Sequence, residues 1–154
     1  MYMKHYLPAE RRGFTLIELL VVIGILAVLL AITLIAINPA RQFSQANNTK
    51  RASDVNAVLN AVGQYMADNR GALPAGITTA VQNVSSTGAN ICAVLMTQYL
   101  AALPVDPLTN NGTPVTNCAA AYDTGYTIIR SGVDNRLTVA APAAELGAVI
   151  SVTR

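Results

Sequence analysis

The chain has little of what enzymes use for catalysis. Its 154 residues include no tryptophan, a single histidine, His5, and two cysteines, Cys92 and Cys118. Because His5 lies near the start of the chain, residues 14–154 contain no imidazole for general base catalysis or metal binding. The two cysteines are too far apart in sequence for a C-x-x-C redox or zinc motif. No nucleophile elbow is present either, so we expect that the protein is not an enzyme.

Charged residues are also scarce, at 12% of the chain, and they form no cationic cluster. The formal net charge of +2 depends on Lys4, Arg11 and Arg12. Without residues 1–13, which also contain Glu10, the basic residues fall from 10 to 7 and the acidic residues from 8 to 7. Nucleic-acid binding depends on clustered lysine and arginine side chains. The charge therefore implies no nucleic-acid partner.

What the chain has in excess is one long apolar segment. The only interruptions between positions 14 and 37 are Thr15, Glu18, Gly24 and Thr33. Residues 19–37 carry no charge, and as a helix they would measure about 28 Å, enough to cross a bilayer's hydrocarbon core. A removable signal peptide has a shorter apolar region, of about 7–15 residues, and a small-x-small cleavage site. Here Asn38-Pro39-Ala40 follows instead, so we expect the segment to be retained as a membrane helix.

The residues alone leave two questions about this segment open. Glu18 either reaches the headgroup region from the start of the helix or pairs with a charge on another chain, because an unpaired carboxylate in a membrane helix costs on the order of a few kcal/mol. The orientation is undecided as well, because the numbers of nearby basic residues on the two sides are equal. These residues are Lys4, Arg11 and Arg12 before the segment, and Arg41, Lys50 and Arg51 after it.

The sequence around Glu18 resembles a known processing signal. Residues 11–20 read Arg-Arg-Gly-Phe-Thr-Leu-Ile-Glu-Leu-Leu and closely resemble the motif of type IV prepilins and type II secretion pseudopilins. That motif is a basic leader, a glycine, a methylatable hydrophobic residue and a glutamate five positions into the mature chain. The resemblance implies that prepilin peptidase cleaves after Gly13 and that Phe14 becomes an N-methylated amino terminus. It also implies that Glu18 neutralises the terminal amine of a neighbouring subunit during assembly.

The same resemblance implies an orientation and a location. The leader stays in the cytoplasm and the head is exported, so the protein is a single-pass protein of the bacterial cytoplasmic (inner) membrane, with its N-terminus inside. It then becomes part of an extracellular or periplasmic filament. The implied partners are other copies of the chain, related minor pilins, prepilin peptidase, the inner-membrane assembly platform and, before assembly, membrane lipid. No cofactor is implied.

The helical pattern continues beyond the apolar segment. Six apolar residues share one helical face: Val55, Val58, Leu59, Val62, Tyr65 and Met66. We therefore expect one long helix over residues 14–68, kinked or locally unwound at Pro39 and closed by Gly71. The predicted parts of the chain are the removed leader (1–13), the transmembrane and filament-core half of the helix (14–38), its amphipathic half (39–70) and the exported globular head (71–154).

The end of the chain has the alternation typical of β-strands. Residues 126–130, 137–141 and 148–153 predict a three-stranded antiparallel meander packed on the amphipathic half of the helix. Residues 71–90 are predicted to be a loop, and residues 91–102 a short apolar helix. The expected fold class is α+β and pilin-like: one long N-terminal helix, transmembrane in its first half, packed against a small C-terminal antiparallel sheet.

Two sets of head residues are candidate sites. Cys92 and Cys118 enclose 25 residues, and in an oxidising compartment a disulfide between them would stabilise the head by roughly 3 kcal/mol. The alternative is that Cys92 is a buried hydrophobic residue and Cys118 an unrelated loop residue. Asp106, Asp123 and Asp134 are weak calcium candidates, but their spacing matches no EF-hand and aspartates in loops usually form turns. We therefore predict no metal.

The function that the resemblance implies is structural: a subunit of a type IV pilus-like filament, assembled through its N-terminal helix. The alternative is the major pseudopilin of a type II secretion system, which drives protein export. Residues 104–107, Pro-Val-Asp-Pro, have a likeness to the head of that protein. The absence of tryptophan and of its aromatic strand motif favours the pilin. A membrane-anchored enzyme or receptor is a further class, for which the head offers no catalytic constellation.

Overall fold

The computed structural model describes residues 13–96 and 98–154, which form two compact units. The chain divides into Met1–Pro39 and Ala40–Arg154. Residues 1–12, which hold most of the predicted leader, lie outside the described residues.

The first unit contains helix α1, Leu16–Ile37, which is 22 residues long and has no residue buried within the molecule. At about 1.5 Å per residue it measures roughly 33 Å, against a hydrocarbon thickness of about 30 Å. By length and composition it is the one candidate membrane span in the described part of the chain. A helix that is apolar on every side needs lipid or protein around it, which is what the sequence predicts for this segment.

The predicted discontinuity lies at Asn38, one residue earlier than expected. Asn38 adopts a left-handed conformation (φ 46°, ψ 81°), so helix α1 ends there, and helix α2, Pro39–Asp68, begins with the proline. Proline is well tolerated at the first position of a helix, because its missing N–H has no intrahelical partner at that position. The helical region is therefore locally unwound at Asn38, as one of the two predicted alternatives expects, and continues from Pro39 to Asp68.

Helix α2 packs its predicted apolar face against the head. Its buried residues are Arg51, Val55, Val58, Leu59, Ala61 and Val62, while Tyr65 and Met66 are partly buried against the same core. The helix is closed at Gly71, whose amide donates to the Met66 carbonyl at 2.7 Å. Gly71 has φ +84°, a conformation in which glycine avoids the penalty of a side chain. The predicted stripe and the predicted terminator are both confirmed.

The head contains a four-stranded antiparallel sheet in the order β1-β2-β3-β4. Its strands are β1 (Gln82–Ser85), β2 (Asp123–Arg130), β3 (Leu137–Ala141) and β4 (Ile150–Thr153). The last three form the predicted meander, and the α+β pilin-like class is confirmed. The prediction of a loop throughout residues 71–90 is wrong, because β1 pairs with β2. Val84 is the only strong strand former in β1, so the local sequence gives little sign of it.

The predicted helix over residues 91–102 is also wrong, because helix α3 covers only Cys92–Leu95. Met96 is already extended, with φ −68° and ψ 152°, and Leu103 pairs with Val115 in an isolated antiparallel bridge. A short apolar run is typical of a buried helix but also of buried chain of other conformation, and here a turn follows α3, in which the Tyr99 and Leu100 amides both donate to the Leu95 carbonyl. A single 3-10 turn, Asn110–Gly112, precedes β2.

Candidate processing and assembly site

The start of helix α1 is a capping box built by Thr15 and Glu18. Thr15 is the N-cap, and its hydroxyl oxygen accepts a hydrogen bond from the Glu18 amide at 3.3 Å. In return, Glu18 Oε2 accepts from the Thr15 amide at 2.8 Å and from the Thr15 hydroxyl at 2.8 Å. Threonine followed three residues later by glutamate is the sequence signature of this arrangement, which satisfies two amides that the helix leaves unpaired.

The Gly13–Phe14 bond lies just before this cap, in non-helical chain. The Phe14 side chain is 87% exposed, and a methyl group built on Gly13 would meet no atom within 4 Å. Packing against the described residues therefore does not demand glycine here. A requirement for glycine at this position would therefore come from an external molecule that approaches the backbone closely, as a peptidase does.

Only one of the two Glu18 carboxylate oxygens takes part in the capping box. Both bonds from Thr15 go to Oε2, and among the described residues Oε1 accepts no hydrogen bond. Cleavage after Gly13 would leave the Thr15 amide in place, so the capping box would survive it. Oε1 would then remain available for a cation, and a carboxylate can hold several hydrogen bonds at once.

A comparison with protein-family models bears on this segment. Residues 9–34 match the family model described as the prokaryotic N-terminal methylation motif. The chain carries the prepilin-type processing signal. This is the cleavage and methylation signal of type IV pilins and pseudopilins, and it contains Gly13, Phe14 and Glu18 in the predicted order. The signal supports membership of that class but does not separate pili from type II secretion. No curated protein and no solved structure matches the chain.

In the head, Cys92 and Cys118 are joined by a disulfide with a Cα–Cα distance of 5.5 Å. Cys92 is fully buried at the start of α3, and Cys118 packs against the same core from the segment before β2. The bond thus ties the short helix to a stretch of chain with little regular structure. The structure therefore has the disulfide predicted from the sequence, and not the alternative of two unrelated cysteines.

The three candidate calcium ligands do not come together. Asp106 is buried and bound to Arg51, whereas the Asp123 carboxylate accepts from the Gly125 amide at 2.9 Å. Asp134 accepts from the Arg136 amide at 3.2 Å in the turn after β2. Over residues 13–96 and 98–154, no group of three or more histidine, cysteine or acidic side chains could hold a metal ion. Asp134 thus acts as a turn residue, as the alternative interpretation expects, whereas Asp123 begins strand β2.

The sequence analysis missed a buried ion network centred on Arg51. Its side chain is fully buried and donates to Asp106 Oδ2 at 2.6 Å, to Glu145 Oε2 at 2.7 Å and to Asn48 Oδ1 at 3.0 Å. Burial opposes ionisation of Asp106, but the bonds from Arg51 and from the Leu108 amide outweigh it, and the net pKa of Asp106 is lowered. The network joins α2 to two distant loops.

Glu145 is a carboxylic acid of the head whose pKa is strongly lowered. Its bonds from Arg51, Asn47 and Ser44 lower its pKa to about 2. Its partners on α2 lie 94 to 101 residues away in sequence, so no local pattern could have revealed the contact. The one available signal was Arg51 itself, which precedes Val55 by four residues and therefore falls on the apolar face of the helix.

Proposed function

We propose that the protein is a structural, non-catalytic subunit of a type IV pilus-like filament, processed by prepilin peptidase and assembled through helix α1. The observation that carries this proposal is the prepilin signal over residues 9–34, set directly on a helix none of whose residues is buried. Such a helix has apolar surface to remove from water on all sides. Lipid covers it first, and the α1 helices of neighbouring copies cover it in the filament.

Processing exposes a cation at the start of α1. Hydrolysis of the Gly13–Phe14 amide releases Gly13 as a carboxylate and Phe14 as an amine, and transfer of a methyl group from an external donor then replaces one N–H hydrogen. The methylated amine keeps its positive charge. Glu18 Oε1 of a neighbouring copy accepts from this amine, so each charge offsets the desolvation of the other in an apolar surrounding.

The proposed location follows from the same signal. The leader remains in the cytoplasm, helix α1 spans the inner membrane, and the head is exported. The Cys92–Cys118 disulfide supports export, because such bonds persist in oxidising compartments. The partners are other copies, minor pilins, prepilin peptidase and the inner-membrane assembly platform.

The experiment that tests this proposal is intact-mass measurement of the membrane-extracted protein, with and without co-expressed prepilin peptidase. The expected product begins at Phe14 and is heavier by one methyl group, and a Gly13→Val variant keeps its leader. A wild-type chain that retains its leader, or that is cut after α1, would contradict the proposal.

A pseudopilin carries the same signal, and the location of the assembled filament separates the two functions. For a pilin, shearing intact cells recovers the processed subunit from the surface. For the alternative, a type II secretion pseudopilin, the subunit stays in the envelope and deletion of its gene stops protein export.

A further inference from the structure

The loop that joins β3 to β4, residues 142–149, presents an apolar surface to solvent. Its exposed residues are Pro142, Ala143, Leu146, Gly147, Ala148 and Val149. Val149 is 92% exposed and Leu146 is 56% exposed. The one charged residue of the loop, Glu145, directs its carboxylate inward to Arg51, so the outer face of the loop carries no charge.

Backbone conformation holds Leu146 at the tip of this loop. The Ala148 amide donates to the Glu145 carbonyl at 3.1 Å, which closes a tight turn with Leu146 and Gly147 at its centre. Both central residues have positive φ, +58° at Leu146 and +69° at Gly147. This conformation is unfavourable for a bulky residue, and strained residues of this kind concentrate at functional positions.

The loop is pinned to the first turns of α2. Glu145 accepts from the Ser44 hydroxyl at 2.9 Å and from the Asn47 side-chain amide at 2.9 Å, and its own amide donates to Asn48 at 2.9 Å. Phe43, beside Ser44, is 70% exposed. Phe43 precedes Ser44 in the chain, and Leu146 and Val149 follow Glu145, so the hydrogen bonds between Ser44 and Glu145 tie the two segments together; we call Phe43, Leu146 and Val149 the loop patch.

The loop at the other end of β3 has a different character. Residues 131–136 read Ser-Gly-Val-Asp-Asn-Arg, and the Asp134 and Arg136 side chains are 51% and 65% exposed. Val133 is 97% exposed there, but between polar and charged neighbours. The β2–β3 loop therefore does not share the uncharged apolar surface of the β3–β4 loop.

We propose that the loop patch inserts into the outer interfacial layer of the membrane that holds α1, so that the head contacts lipid before assembly. Phe43 follows Ile37, the end of α1, by six residues, and six extended residues reach at most about 22 Å. Phe43 is thus covalently held within this distance of the end of α1. Aromatic and aliphatic side chains without charge are those that the interface accepts. This inference rests on the proposed membrane insertion of α1.

Because the chain contains no tryptophan, single tryptophan substitutions can test the contact in the full-length protein. Leu146→Trp and, separately, Val149→Trp are reconstituted into phosphatidylcholine vesicles at low protein density, with lipids brominated near the headgroup end of the acyl chain. The matched control is Val133→Trp in the opposite loop, and Leu26→Trp within α1 reports insertion. We expect quenching at position 146 or 149 to exceed that at position 133 by roughly twofold or more.

The controls separate failure of this inference from failure of the proposed function. Quenching of Leu26→Trp, with Leu146→Trp and Val149→Trp quenched no more than Val133→Trp, would overturn the lipid contact alone. If Leu26→Trp is not quenched either, the proposed membrane insertion also fails. Emission from positions 146 and 149 that shifts to the blue with protein density, without lipid quenching, would mean that a second copy covers the patch and would overturn the proposal as well.

Discussion

At the scale of single residues, Arg51 carries the main electrostatic stabilisation of the head. Its guanidinium contacts Asp106 and Glu145, and both Arg51 and Asp106 are fully buried. Arg51→Ala would leave the Asp106 carboxylate buried without its partner, so we expect a loss of about 3–5 kcal/mol in the free energy of unfolding. Urea unfolding of the full chain in detergent measures this loss.

The control for the Arg51 substitution is Arg136, whose Nε lies 3.4 Å from Asp134 Oδ2 in an exposed ion pair. Arg136→Ala should change the free energy of unfolding by less than about 1 kcal/mol, because water screens this pair. Equal effects of the two substitutions would mean that the buried network does not hold the head together.

The pKa of Glu145 gives a pH dependence with a definite sign. Its folded pKa of about 2 lies below the value of about 4.3 in an unfolded chain. The stabilisation from Glu145 is therefore complete above the unfolded pKa and is lost as the pH falls through the folded one. We expect the wild type to lose stability over this window and Glu145→Gln to lose less, since only Asp106 of the network still titrates. Unfolding midpoints across acidic pH test this, and parallel curves for the two proteins would contradict it.

Sequence reasoning found some of these residues and missed others for a physical reason. Gly13, Phe14 and Glu18 are contiguous, and a motif within a few residues is visible in one sequence. Arg51 has partners 55 and 94 residues away, at Asp106 and Glu145, and only the folded chain brings them together. In the sequence, the position of Arg51 on the apolar face of α2 indicates that it is buried but does not identify its partners.

At the scale of elements, those with a regular pattern could be predicted. The apolar stripe of α2 and the alternation in β2 and β3 are repeated over several turns or residue pairs, so single exceptions do not hide them. Strand β1 is only four residues long and is held by pairing with β2 about forty positions later. Helix α3 ends after four residues, at the extended Met96, and the apolar chain beyond it contains a turn at residues 98–99.

The disulfide joins two segments of the head that lie outside the sheet. Cys92 and Cys118 are separated by 26 positions, and closing a loop of this length stabilises by about 3 kcal/mol, mainly by restricting the unfolded chain. We expect the Cys92→Ser, Cys118→Ser double variant to lose a comparable amount in urea unfolding. Dithiothreitol should weaken the wild type and leave the double variant unchanged. A reductant effect on both proteins would contradict the assignment.

At the scale of the whole molecule, the two units differ in whether their apolar side chains are buried within the chain. The head buries its own core, centred on residues such as Tyr126, Ile128 and Leu95. Helix α1 buries nothing within the chain, so its stability depends on lipid or on other copies. The prepilin signal, at residues 9–34, lies in the unit that contains α1, whereas the surface of the head is interpreted from its structure.

Assembly of many copies depends on Glu18 in the proposed filament. Glu18→Gln keeps a side-chain oxygen for the Thr15 cap but removes the charge that would meet the Phe14 amine of a neighbour. We expect this variant to be inserted and cleaved normally, while sheared filament falls by roughly tenfold or more, since an unpaired amine is costly in an apolar bundle. Thr15→Ala, which removes the hydroxyl and keeps the charge, is the control and should retain most filament. Normal filament yield from Glu18→Gln would show that Glu18 serves only as a cap for its own helix.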